Sequence, residues 1–405
     1  MASGSDAALP QQEKAIMALR QDMPALANKI YFNYGGQGPL PTASLHAMAA
    51  SWRRIQELGP FAKPVFSYVE ELIASLRLAL AALCGVPSQR LAFTENVTSG
   101  CVLPLWGLPW RPGDELLIGD GEHPGVVATC HELARREQLQ VKTLPVQQYC
   151  GAEQVLERLD QALQPRTRLV VLSHLLWTTG AAMPLPAVGR RLREHVNQPW
   201  LVVDGAQSTG AVPLQEAVAA ADLYAFTGHK WLCGPEGLGA VALSRRLLEV
   251  GTPTMIGWRG LAKDPADPLR LHGDARRYEI ATSCSPLAAG LLQSLHRLAT
   301  VGDPCQRLER IRVRSGALWH GLRQLDGVET LLPEAPPAGM VSFRVRGFGS
   351  QQVVSALAAR GLVLRSFEEP DCVRACCHVT TLPTESERLI HEIASLGTNS
   401  GTPEA

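Results

Sequence analysis

The sequence predicts an α/β protein: a mostly parallel sheet with helices on both faces, followed by a smaller mixed region. Two observations carry this. Short β-branched or apolar runs alternate with helical stretches: RLAFT (90–94), ELLIG (115–119), LVVLS (169–173), LVVD (201–204), LYAFT (223–227) and GAVAL (239–243). Beyond about residue 265 that regular order loosens. The 405 residues allow two or three domains at roughly 150 residues each.

Taken in order, residues 1–29 read as a polar lead-in with one amphipathic helix near Gln11–Gln21. YFNYGGQGPLP (31–41) is a short aromatic strand that breaks into a Gly-rich turn, and residues 42–83 have apolar positions at helical spacing. The expected division is an N-terminal segment over 1–29, a large domain over 30–265, a small C-terminal domain over 266–396 and a disordered tail over 397–405.

Charge and cysteine usage narrow the function. Lys plus Arg and Asp plus Glu each number 38. Without a basic excess, nucleic acid and membrane surfaces are not expected partners, and a low net charge mildly favours an oligomer. No apolar run reaches the length of a signal peptide or a membrane span. The 10 cysteines are scattered without paired CxxC spacing, so a metal site is not expected, and reduced thiols in the cytoplasm are the expectation.

In open parallel sheets ligands sit beyond the carboxyl ends of the strands, so the residues just after each strand carry the information. In FTGHKWLCGPEGLGAV (226–241), Lys230 follows a strand and a glycine. Alone it reads as a surface lysine. In a desolvated site its pKa falls and the amine can attack an aldehyde. In LVVDGAQSTGAV (201–212), Asp204 ends a buried strand, where an unpaired carboxylate is costly. It either caps the following helix or pairs with a cation such as the protonated ring nitrogen of pyridoxal phosphate. Gln207 is placed to hydrogen-bond that cofactor's phenolic oxygen.

His123 of GDGEHPG (119–125) is either a satisfied loop histidine or a ring-stacking group. Thr98 and Ser99 of FTENVTSG (93–100) open a helix and can serve as plain caps or as phosphate ligands. Thr227 and His229 can complete the phosphate cup. Arg365 and Arg374 in LRSFEEPDCVRACCH (364–378) offer the planar fork that a carboxylate needs. Cys372, Cys376, Cys377 and His378 lack zinc spacing. GPEGLG (234–239) lacks the context of a dinucleotide site.

Together, His123, Asp204, Gln207 and the stretch ending in Lys230 resemble the class V aminotransferase family, which includes the cysteine desulfurases. The resemblance covers roughly residues 30–395. It implies the pyridoxal-phosphate fold of type I, with a seven-stranded sheet. It further implies a Schiff base on Lys230 and phosphate contacts at Thr98, Thr227 and His229. RRYEIATSCSP (276–286) resembles a segment that reaches a neighbouring subunit, where Thr282 would touch the partner's phosphate; a homodimer with shared sites follows.

Two features separate the chain from the desulfurases, which carry a catalytic cysteine on a mobile loop before their carboxylate-binding arginine. Cys372 stands only two residues before Arg374, and SHLLWTTG (173–180) replaces the usual Ser-Asn. These features, with YFNYGGQGPLP and CVRACCH, resemble the cyanobacterial cysteine/cystine C–S lyases. That resemblance implies β-elimination to pyruvate, ammonia and sulfide or persulfide, with a sulfur acceptor such as iron–sulfur cluster assembly as a partner. It places Arg365, Arg374, Gly36 and Trp177 around the substrate. The alternatives are a desulfurase releasing alanine, an epimerase or aminotransferase of the same fold, and a non-catalytic scaffold.

Overall fold

The computed structural model describes residues 8–148 and 151–398. Thirteen strands are assigned among these residues. β1 (Ile30–Tyr31) comes first, followed by β2 (Leu91–Thr94), β3 (Glu115–Gly119), β4 (Gln140–Leu144) and β5 (Thr167–Ser173). β6 (Trp200–Asp204), β7 (Leu223–Thr227) and β8 (Gly239–Leu243) complete the first group. Later come β9 (Val328–Thr330), β10 (Met340–Val345), β11 (Leu362–Val363), β12 (Arg365–Glu368) and β13 (Asp371–Cys376).

The main sheet has seven strands in the order β2-β8-β7-β6-β5-β3-β4. β4, β3, β5, β6 and β7 run parallel, while β8 is antiparallel to both β7 and β2. The reversal has a simple cause. Residues 228–238 return the chain from β7 to β8 without a crossover helix, and a parallel neighbour needs one. β2 therefore points the same way as β7, and its carboxyl end reaches the same sheet edge.

Alternation along the strands feeds two cores. Leu117, Val170, Leu172, Val203, Tyr224 and Phe226 enter one. Leu116, Ile118, Leu169, Val171, Val202 and Ala225 enter the other. Helices cover both faces, which is why these runs are apolar almost throughout. β4 (QVKTL) lies at the sheet edge and exposes Gln140, Lys142 and Thr143; its mixed polarity hid it in the sequence.

The helical stretch predicted over 42–83 is two helices, Thr42–Leu58 and Lys63–Cys84. Gly59 at φ 85 and Phe61 at φ 67 bracket Pro60 at the break, and such positions do not continue a helix. The lead-in helix runs over Ala8–Gln21 and buries Ile16 and Leu19 in the first core. Its Arg20 forms a two-pronged ion pair with Glu385, at 2.9 and 3.0 Å. The smaller sheet, β12-β13-β10-β9, is antiparallel. It packs Phe343, Val341, Val373 and Ala375 against Leu318, Leu322, Leu389 and Ile393 in a third core. The final helix, Pro383–Thr398, extends two residues into the stretch expected to be a tail; residues 399–405 lie outside the described residues.

Candidate active site

The carboxyl ends of β3, β5, β6 and β7 meet at one cavity. His123, Ser173, Trp177, Asp204, Gln207 and Lys230 line it, with Val97, Leu175 and Ala206. The sheet's parallel direction does this: each strand delivers its polar residue to the same edge. Ser173 and Asp204 are register partners on neighbouring strands.

Asp204 is buried, at 5% exposure. Its Oδ1 accepts the Ala206 N–H at 2.8 Å, and no ion pair reaches it among the described residues. Burial raises its pKa, against the opposing pull of Lys230, the Ala206 N–H and His123. Lys230 follows in the loop after β7, half-buried. Burial pushes its pKa down to about 8; the Asp204 carboxylate opposes this and the Arg374 guanidinium adds to it. A substantial share of the amine is therefore neutral near pH 7.5. Burial also lowers the pKa of His123, whose ring lies edge-on to Trp177 with centroids 5.3 Å apart.

Gln207 is fixed at both ends of its amide. Its Nε2 donates to Gly35 O at 2.9 Å, and its Oε1 accepts from Trp231 Nε1 at 3.0 Å. Close approach requires a glycine at 35, because a Cβ there would lie 2.8 Å from both Gln207 Oε1 and the Arg374 guanidinium. Gly36 itself faces Asn33, and its N–H is bonded to Asn33 O at 2.9 Å.

Arg374 is only 2% exposed although it carries a charge. It reaches out of β13, donates through one terminal nitrogen to Trp177 O at 2.5 Å, and lies over the Phe367 ring at 4.9 Å. Its Nε is buried with no partner. Arg365 is its cross-strand neighbour on β12, exposed, with its guanidinium 6.0 Å from the Phe367 ring.

The remaining predicted residues fall into three places. Thr98 and Ser99 open the helix Val97–Leu105, where the Ser99 N–H is already taken by the Asn96 cap at 2.9 Å. Thr227 and His229 are joined, Oγ1 to Nδ1, at 2.7 Å. Thr282 lies in a separate apolar groove with Phe61, Phe66 and Trp258, so one chain does not bring it to Lys230.

Sequence reasoning assigned no role to Glu122 or Trp231, and weighed His378 only as a metal ligand. Glu122 is buried beside His123 and accepts the Ser173 N–H at 2.8 Å and O–H at 2.6 Å; burial drives its pKa up to about 8 despite those bonds. Its position next to His123 was the available signal.

These residues fit pyridoxal phosphate. The buried Asp204 carboxylate wants a cation, Lys230 is a half-buried amine, and the unpartnered Arg374 Nε wants an anion. Among the described residues no cluster of His, Cys, Asp and Glu could hold a metal, and no helix is long and apolar enough to cross a membrane.

The class-V aminotransferase pattern matches residues 44–385. The chain belongs to that family. Among solved structures, the cystine C–S lyase C-DES, in complex with its product cysteine persulfide, is 41% identical with a TM-score of 0.88. That match covers 92% of this chain and 99% of C-DES. A C-DES lysine-to-alanine mutant with glycine covalently linked to the PLP cofactor superposes with a TM-score of 0.89 at 40% identity, covering 93% of this chain and 98% of that one. Among curated relatives, isopenicillin N epimerase of Amycolatopsis lactamdurans is 32% identical over 262 residues, spanning 63% of this chain and 63% of the epimerase.

Proposed function

We propose that this class-V enzyme is a pyridoxal-phosphate-dependent C–S lyase that cleaves L-cystine or L-cysteine by β-elimination, giving pyruvate, ammonia and persulfide or sulfide. The observation that carries this reading is the hairpin between Phe367 and Arg374. β12 and β13 are joined tightly at Glu369-Pro370, which leaves no loop on which a thiol could swing. Cys372 is 1% exposed within β13, and burial pushes its thiol up to about 11. Cys376 and Cys377 are fully buried. A desulfurase needs an enzyme thiolate at the substrate sulfur; here the sulfur must depart with its own electron pair. The likeness to C-DES supports the same reading.

In this reading Arg374 holds the substrate carboxylate through its unpartnered Nε edge. Asp204 holds a ring cation, Gln207 offers its amide to the phenolic oxygen, and His123 covers the ring. Pyridoxal phosphate, when bound, supplies an electron sink. Lys230, in its neutral form, takes the α-proton. The β-carbon–sulfur bond then breaks and the sulfur leaves with the pair, as a persulfide from cystine or a sulfide from cysteine. A homodimer belongs to the same reading. The groove around Thr282 presents Phe61 at 83% and Trp258 at 51% exposure, apolar surface suited to a second copy.

The test is product analysis. Incubated with L-cystine, and separately with L-cysteine and a reductant, the protein should yield pyruvate and no alanine. Alanine would overturn the reading in favour of desulfuration. Neither product, from a protein with bound cofactor, would overturn it in favour of the epimerase relatives.

A further inference from the structure

Trp231 is fully buried immediately after Lys230. Its ring is held in three ways. Tyr34 stacks at 6.2 Å between centroids, His378 lies at 6.3 Å, and Gly339 leaves room that a Cβ would take, at 2.7 Å from the ring. Its one polar atom, Nε1, reaches Gln207 Oε1 at 3.0 Å.

The chemistry of the two partners decides which way the Gln207 amide faces. An indole N–H only donates, and the Gly35 carbonyl only accepts. The Gln207 oxygen must therefore face Trp231, and its nitrogen must face Gly35. The nitrogen spends one proton on Gly35 O. The second is left for the cavity that Gln207 lines together with Lys230 and Asp204. Were the amide reversed, oxygen would face the Gly35 oxygen, and an acceptor would replace the donor.

We infer that Trp231 is a positioning residue: its indole N–H, acting with the Gly35 carbonyl, anchors the Gln207 amide so that an N–H, not a carbonyl, is presented to the cofactor's phenolic oxygen. The inference rests on the proposed cofactor reading. Trp231 itself is not among the residues that line the cavity.

A donor to the phenolic oxygen stabilises its anionic form, and losing that donor raises the pH at which the cofactor's visible band changes. The charged and titratable groups that line the cavity or act on Lys230 there are Lys230 itself, Asp204, His123, Arg374 and Cys376. None of them is altered by Trp231→Phe, which keeps the buried bulk and deletes the N–H.

The experiment is a spectral pH titration of the cofactor-loaded protein, in the absence of substrate, for wild type, Trp231→Phe, Gln207→Leu and the double variant. Trp231→Phe should move the midpoint upward by about one pH unit. In the Gln207→Leu background the same change should move it no further, because both act through one contact. An unmoved midpoint, or a shift that repeats in full in the Gln207→Leu background, would overturn the inference. If Trp231→Phe does not fold, benzothienylalanine at position 231 keeps the indole shape with sulfur in place of N–H and answers the same question. A wild-type protein that binds no pyridoxal phosphate and shows no visible band would instead mark the failure of the cofactor reading.

Discussion

Acid should destabilise the protein through His378, and the burial of its ring sets the sign and the order of magnitude. His378 is fully buried, stacked on Tyr34 with centroids 4.3 Å apart. Its Nε2 lies 3.3 Å from Trp231 O, which only accepts, so Nε2 carries the proton. Its Nδ1 then accepts from the Thr380 hydroxyl at 3.0 Å, and that hydroxyl accepts from Tyr34 O–H at 2.8 Å. In this arrangement the imidazole is neutral, and the bond to Trp231 O, which would favour the charged ring, does not overcome the cost of burying a charge. Burial holds its pKa down to about 3, from an ordinary 6.5. The folded state thus refuses a proton that the unfolded chain accepts below 6.5. Stability is fully present above 6.5 and is lost as pH falls towards 3. At about 1.4 kcal/mol per pH unit the full span is about 5 kcal/mol, of which about 3 kcal/mol is gone by pH 4.5. His378→Gln keeps a donor and an acceptor but cannot titrate. Urea unfolding of cofactor-free wild type and variant at pH 7.5 and 4.5 measures the difference. The variant should be the weaker protein at pH 7.5, through lost packing, and its deficit should shrink or reverse by about 3 kcal/mol at pH 4.5. A deficit that stays constant within about 0.5 kcal/mol would refute the reasoning.

Two further changes probe the site. Gly38→Ala would place a Cβ 2.2 Å from Lys230 O and 2.9 Å from Cys233 Sγ, and would disturb the 2.7 Å bond from Gly38 N–H to His229 O. The expected loss is about 2–4 kcal/mol in urea unfolding, with weaker cofactor retention; a loss under about 0.5 kcal/mol would show that the turn yields freely. Arg374→Lys keeps the charge beside Lys230 but removes the Nε edge. It should lower kcat/KM for the amino-acid substrate about 10- to 100-fold, leaving the pH profile largely in place. Unchanged kcat/KM would detach Arg374 from substrate binding.

What was legible in the sequence follows from how each feature is encoded. LVVLS and LVVD announce themselves because strands covered on both faces need apolar residues throughout, and β4 stayed hidden because an edge strand does not. Lys230, Asp204, Gln207 and His123 were readable because a parallel sheet delivers strand ends to one edge, so position after a strand is itself evidence. Trp231 and His378 were not readable in that way. Their contact spans 147 residues of chain and depends on where the smaller sheet packs, which no local pattern records. Arg374 was picked out in the sequence only as one of two arginines with the planar fork a carboxylate needs; its 2% exposure in a strand, the physical sign that separates it from the exposed Arg365, needs the fold.

Under the proposed reading, the placement of charges explains why the amine, rather than a thiol, is the reactive group of this site. In the bare protein Lys230 is pulled two ways: Asp204 favours its ammonium form, while burial and Arg374 favour the neutral amine. Under the proposed reading each neighbour acquires its own counter-charge, Asp204 from a ring cation and Arg374 from the substrate carboxylate. The two charge effects on Lys230 then fade together, and they have opposite signs. Desolvation is left as the dominant influence, and desolvation favours the neutral amine. The same desolvation acts in reverse on sulfur: it keeps Cys372 and Cys377 protonated, because a thiolate, unlike a neutral amine, must carry a charge to react. One physical effect thus favours the neutral, reactive form of the lysine and the unreactive form of Cys372 and Cys377, which under the proposed reading leaves the substrate's own sulfur as the one that departs.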